Sequence, residues 1–136
     1  MSKKILIIDD EHSMVTYLST LLQDHGYETS SSLEAEAGLQ KAIEESPDLI
    51  TLDILMPDKT GIRLYRDLKK NEQVGHIPVI VVTGFTAEQH PMIDLKKFIY
   101  ERKLPGPEGF IEKPVDPDVL LSAISSALEG TAQTSV

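Results

Sequence analysis

Residues Ile5–Glu11 read ILIIDDE: four large aliphatic side chains in a row, stopped by three consecutive acids. A strand with one wet face alternates apolar and polar residues, whereas an unbroken aliphatic run suits a strand buried on both faces, as in a parallel sheet. Similar runs recur at Leu49–Leu52 and Val79–Val82, and each again ends on a polar residue, Asp53 and Thr83. Two weaker runs, Tyr27–Ser31 and Gly109–Ile111, complete a set of five strands. Tyr27–Ser31 is polar enough to be a sheet edge.

The stretches between these runs carry helical period. Val15, Leu18 and Leu22 form one apolar stripe, widened by Met14 and Leu21, with Gly26 placed to stop the helix. Leu33, Ala37, Leu39, Ala42 and Ile43 form a second, ended by Pro47, and Ile62, Leu64, Tyr65 and Leu68 a third after Gly61. Met92, Leu95, Phe98 and Ile99 support a fourth, which starts either from a Thr86–Gln89 capping box or at Pro91 as first helical residue. Val119, Leu120, Ala123, Ile124 and Leu128 support a fifth, with Asp116 as N-cap and Pro117 as its first residue. Strand and helix in strict alternation imply right-handed crossovers, a parallel sheet and helices on both faces.

The 136 residues, 40% of them apolar, suit one α/β domain, expected over 1–129 with a flexible tail over 130–136. There are no cysteines, which excludes disulfides, thiolate metal sites and thiol nucleophiles. A net charge of -9 opposes binding to nucleic acid phosphates or an anionic membrane. The apolar run that follows Lys3 and Lys4 stops after four residues, too short for a secretory signal or a membrane span, so the expected location is cytoplasmic.

In a doubly wound sheet the ligand crevice lies beyond the carboxyl ends of the strands. Reading each run to its end selects Asp9 and Asp10, then Asp53, Thr83 and Lys113. Each has an ordinary reading alone. Asp10 or Glu11 can cap the first helix, Asp53 can open the turn containing Pro57 and Gly61, Thr83 can be a turn residue, and Lys113 can be a solvated lysine. Their convergence on one sheet edge is what carries chemistry. Three carboxylates in contact repel one another by several kcal/mol per pair at a protein-like dielectric, on the order given by Coulomb's law, so the group needs a proton or a cation. Mg²⁺ suits such a hard oxygen set and keeps room for a phosphoryl oxygen, with Lys113 and Thr83 placed to hold the others. None of His12, His25, His76 and His90 falls at a strand end, so all four read as structural or surface residues.

The acidic pair in ILIIDDE, the Asp in LITLDILMP, the Thr in IVVTG and the Lys–Pro in GFIEKP together resemble the receiver domain of two-component response regulators, from about Lys3 to Leu128. The resemblance implies a flavodoxin-like sheet of strand order 2-1-3-4-5 flanked by five helices. It implies Asp53 as phospho-acceptor, and Asp10 and Asp53 as direct Mg²⁺ ligands, with Asp9 acting mainly through water and the Leu55 carbonyl as a further ligand. Thr83 and Lys113 match the pair that holds phosphoryl oxygens, and Phe110 stands where the family has its switching aromatic. A cis Lys113–Pro114 bond is common in relatives. The implied donor is a sensor histidine kinase or histidine phosphotransfer protein, and the implied output is altered affinity for an effector; such a receiver catalyses only its own phosphorylation and dephosphorylation. Bulky Leu55 and Phe85, two residues beyond Asp53 and Thr83, cannot position a hydrolytic water and predict a long-lived aspartyl phosphate.

Two other readings compete. Haloacid dehalogenase-type phosphatases share the aspartyl phosphate chemistry but set their nucleophile in an Asp-x-Asp pattern after the first strand, whereas here the two acids are adjacent. A receiver-fold binding module that is never phosphorylated is the other. The stretch from Thr83 to Lys113 is several residues longer than the family pattern, and its run Pro105–Gly109 reads as a solvated loop or a binding element.

Overall fold

A computed structural model describes residues 2–56, 60–84 and 90–133. Strands β1 (Lys4–Ile8), β2 (Glu28–Ser32), β3 (Leu49–Leu52), β4 (Val79–Thr83) and β5 (Gly109–Glu112) alternate with helices α1 (His12–Asp24), α2 (Ala35–Glu45), α3 (Thr60–Lys70), α4 (Pro91–Arg102) and α5 (Pro117–Gln133). Every pairing is parallel and the strand order is β2-β1-β3-β4-β5, the topology expected from the resemblance. Among the described residues no helix is long and apolar enough to cross a membrane.

The aliphatic runs are buried on both faces because consecutive side chains point to opposite sides of the sheet. Leu6, Ile8, Ile50, Leu52, Val79 and Val81 pack on one side against Ala42 of α2, Leu64, Tyr65 and Leu68 of α3, and Leu95 of α4. Ile5, Ile7, Leu49, Ile80 and Val82 pack on the other against Leu18 and Leu22 of α1 and Leu120, Ile124 and Ala127 of α5. The chain leaves β1 for the edge strand β2 and then crosses back to β3. The crevice therefore opens at the carboxyl ends of β1 and β3, where their crossovers diverge.

Local chemistry sets most boundaries. Gly26, at φ +87, takes the left-handed turn that follows α1, which any side chain would strain. Asp116 caps α5 through its carboxylate, which accepts the amides of Asp118 and Val119. Pro91 is the first residue of α4; Thr86, Gln89 and Phe85 lie outside the described residues. Three expectations shift. β2 begins at Glu28 rather than Tyr27, whose amide bonds to Leu22 in the terminal turn of α1. Leu33 is not part of α2. A turn closed by the Ser32 hydroxyl on the Glu34 backbone delays that helix to Ala35 and leaves Leu33 exposed. Finally, α5 carries the chain to Gln133, past the boundary at 129 drawn from the sequence.

Candidate functional site

Backbone pairing continues past the ends of the central strands and sets the site's register. The Asp53 amide donates to Ile8, the Asp9 amide to Ser32, and the Lys113 amide to Thr83, so the residues after β1, β3 and β5 meet the last residue of β4 at one edge. Gly61 lets α3 close over this turn: a Cβ there would stand 2.5 Å from the Ile54 Cα and 2.8 Å from the Asp53 carbonyl oxygen.

Asp9 and Asp53 are almost fully buried, and Asp10 is exposed at the rim. One carboxylate oxygen from each of the three lies within 4.8 Å of the others. Among the described residues, three donors hold the Asp53 carboxylate. Its Oδ1 accepts the Thr83 hydroxyl at 2.7 Å and the Leu55 amide at 2.9 Å, and its Oδ2 accepts the Lys113 ammonium at 3.1 Å. Lys113 also donates to Asp9 Oδ2 at 3.0 Å and to Glu11 Oε1 at 2.8 Å. Its side chain is only 13% exposed, so the solvated-lysine reading fails. The Lys113–Pro114 peptide is cis.

The electrostatics follow from crowding. Burial raises the Asp9 carboxyl from its ordinary 3.8 to about 6; the Glu11 amide opposes this and the nearby Asp53 charge adds to it. Burial also works against the Lys113 ammonium, but the hydrogen bonds it donates to Glu11 and Asp9, with the Asp53 charge, outweigh it and hold Lys113 above the ordinary lysine range. Among the described residues, one ammonium among four neighbouring carboxylates leaves a surplus of negative charge. That surplus, with all donors oxygen, fits a hard divalent cation.

The sequence profile of the response regulator receiver domain matches residues 5–125. The chain belongs to this family. It is 33% identical over 127 residues to protein PilH of Pseudomonas aeruginosa, covering 93% of this chain and 98% of PilH. It is 31% identical over 128 residues to the polar-differentiation response regulator DivK of Brucella ovis, covering 94% of this chain and 98% of DivK. A solved receiver domain protein (CheY-like) from Methanospirillum hungatei superposes with TM-score 0.83 at 28% identity, covering 98% of each chain. The receiver is thus a phospho-accepting signalling switch of the two-component type, and membership replaces the phosphatase reading.

All five acidic, hydroxyl and ammonium groups selected at the strand ends meet in this receiver's crevice. Phe110 lies apart from them. It is half-buried against the core under α4, with the Lys96 ammonium 5.6 Å from its ring centre, and it borders a cavity of about 760 Å³ with Ile99, Tyr100, Leu104 and Pro107. Two features escaped the sequence reading. Glu11 occupies the N-cap position of α1, yet its side chain makes no capping bond and turns to Lys113. The sequence offered Glu11 as a candidate helix cap, and its one hint of a further role was to be the third acid at one strand end. The long segment before β5 is not simply solvated: the Tyr65 hydroxyl donates to the Pro105 carbonyl at 2.6 Å, and Glu108 accepts the Val79 amide at 2.8 Å.

Proposed function

We propose that Asp53 is the phospho-acceptor of this receiver, taking a phosphoryl group from a phosphohistidine on a histidine kinase or phosphotransfer protein in the cytoplasm. The observation that carries this reading is the Asp53 carboxylate itself, buried at the crevice floor and gripped by Thr83, Leu55 and Lys113. An Asp53 oxygen forms the new O–P bond as the P–N bond breaks, and the imidazole leaves with that electron pair and a proton from solvent.

Asp10 and Asp53 would hold Mg²⁺ directly, with Asp9 through water and the Leu55 carbonyl as a further ligand. Bound there, Mg²⁺ supplies positive charge beside the transferring group and relieves the repulsion among the acids. Lys113 lies on the opposite flank of Asp53 from the Thr83 hydroxyl, so the two can take different phosphoryl oxygens. When the Thr83 hydroxyl turns from Asp53 to a phosphoryl oxygen, β4 loses a fixed contact at its end. Phe110 shares the space under α4 and responds, which changes the surface offered to a downstream partner. Leu55 brings no polar group to position a hydrolytic water, which supports a long-lived acyl phosphate.

Incubation with acetyl phosphate and Mg²⁺, read by intact mass, tests this. The expected result is one added phosphoryl group on the unaltered chain and none on Asp53→Asn. Addition to both, or to neither, would reject Asp53 as acceptor, and neither would also favour the unphosphorylated binding module. Decay of the adduct should quicken with Leu55→Asn; an unaltered chain that decays faster removes the lifetime argument.

A further inference from the structure

Lys113 would compete with a cation for the same carboxylates. It donates to Asp9 Oδ2 at 3.0 Å and to Asp53 Oδ2 at 3.1 Å, two of the three carboxylates that converge within 4.8 Å. For these oxygens to turn to a metal, the ammonium must leave them, and a largely buried ammonium cannot be left without a partner at small cost. Glu11 offers the remaining contact. At 2.8 Å it makes the shortest of the three ion pairs, and its side chain is 56% exposed, whereas those of Asp9 and Asp53 are each 3% exposed. The Glu11 carboxylate is therefore at the rim, outside the cluster of three, and retains access to water.

The local backbone leaves Glu11 free for this task. Its carbonyl accepts the Met14 and Val15 amides at 3.1 Å, so the first turn of α1 is closed by main chain. Its amide donates to Asp9 Oδ1 at 2.9 Å, which ties its position to the floor of the site. No capping bond competes for its side chain.

We propose that Glu11 is a positioning residue for Lys113, a rim carboxylate that keeps the ammonium paired while Asp9 and Asp53 turn to the cation. The inference rests on the metal-site reading above. Without Glu11 the ammonium keeps, among the described residues, only Asp9 and Asp53, and it then competes with Mg²⁺ for both. Reach matters as well as charge, because the contact spans from the start of α1 to the end of β5.

Mg²⁺ titrations of the full chain, followed through amide chemical shifts without any phosphodonor, test it. Glu11→Gln should weaken Mg²⁺ binding about three- to tenfold, the range of one charge-assisted contact. Glu11→Asp keeps the charge but shortens the reach, and should behave like Glu11→Gln. In a Lys113→Ala background, Glu11→Gln should shift affinity by less than about twofold, because the residual effect is long-range and screened. Equal loss in both backgrounds, or Glu11→Asp binding like the unaltered chain, would reduce Glu11 to a general contributor of charge and overturn the proposal. Circular dichroism of each variant separates loss of binding from loss of fold. Absence of Mg²⁺ binding by the unaltered chain would take down the metal-site reading, and this inference with it, whereas binding that ignores Glu11 sinks the inference alone.

Discussion

Two lysines are buried at opposite ends of the sheet, and their surroundings differ in one respect. Lys69 of α3, with a side chain 4% exposed, stands near the amino end of β4. It has one carboxylate, Glu108 at 3.5 Å, a carbonyl, Ile77 at 3.3 Å, and the Tyr65 ring 5.8 Å away. Glu108 is itself fixed by the Val79 amide, and Tyr65 by the Pro105 carbonyl. Among the described residues one positive charge there meets one negative charge, and Lys69, Glu108 and Tyr65 each have a backbone partner as well. Lys113 instead meets three carboxylates within 3.1 Å, with a fourth, Asp10, beside them. Balanced charge builds a joint that holds the long segment before β5 against α3. Unbalanced charge builds a site that can receive a further cation. Burial alone would not have told the two lysines apart.

Removing each lysine in turn should give the largest effect. Without divalent cation, Lys113→Ala should destabilise the fold by about 2–4 kcal/mol, since two buried carboxylates lose the cation that pairs with both among the described residues. Added Mg²⁺ should recover most of that loss. Lys69→Met should cost about 1–2 kcal/mol, less because the Glu108 side chain keeps partial contact with water, and Mg²⁺ should recover none of it. Urea unfolding of both variants with and without Mg²⁺ reads these effects. Rescue of Lys69→Met by the metal, or none of Lys113→Ala, would erase the distinction.

The crowding at Lys113 should also show in the pH dependence of stability. The Asp9 carboxyl lies at about 6 in the folded chain against an ordinary 3.8, so between those values the folded form binds a proton that the unfolded form does not. Its contribution therefore favours folding as pH falls. Between pH 7 and pH 5, cation-free, it should add about 1 kcal/mol of stability to the unaltered chain relative to Asp9→Asn. Equal slopes in the two proteins would place the crowded proton elsewhere.

The smallest expected effect lies in the core between the two ends. Among the described residues, the Thr51 hydroxyl is a buried side-chain group with no hydrogen-bond partner, on a strand whose register neighbours are Ile7 and Ile80. Thr51→Val replaces the hydroxyl with a methyl of similar shape and should stabilise the fold by about 0.5–1 kcal/mol without altering Mg²⁺ affinity. A loss of stability would mean that the hydroxyl has a partner.

Much of the molecule was legible along the chain. Aliphatic runs marked the strands because burial on both faces removes the alternation that exposure would impose. The polar residues that end those runs marked the crevice, because a parallel sheet points all its carboxyl ends the same way. Leu33 was misjudged because its spacing fits the stripe of α2, while the competing turn at Ser32 leaves no mark in periodicity. Lys69 and Glu108 carried no signal that could pair them.

The sequence by itself determined which residues end the strands, and therefore which acids, hydroxyl and ammonium share one edge of the sheet. These are consequences of patterns a few residues long. Only the tertiary structure decided which carboxylates Lys113 touches, that the Glu11 side chain accepts from Lys113 instead of capping α1, and that Tyr65 and Lys69 secure the segment before β5. Glu11 and Lys113 lie 102 residues apart and Tyr65 and Pro105 lie 40 apart. Contacts at such separations depend on how whole elements pack against one another, which no local pattern encodes.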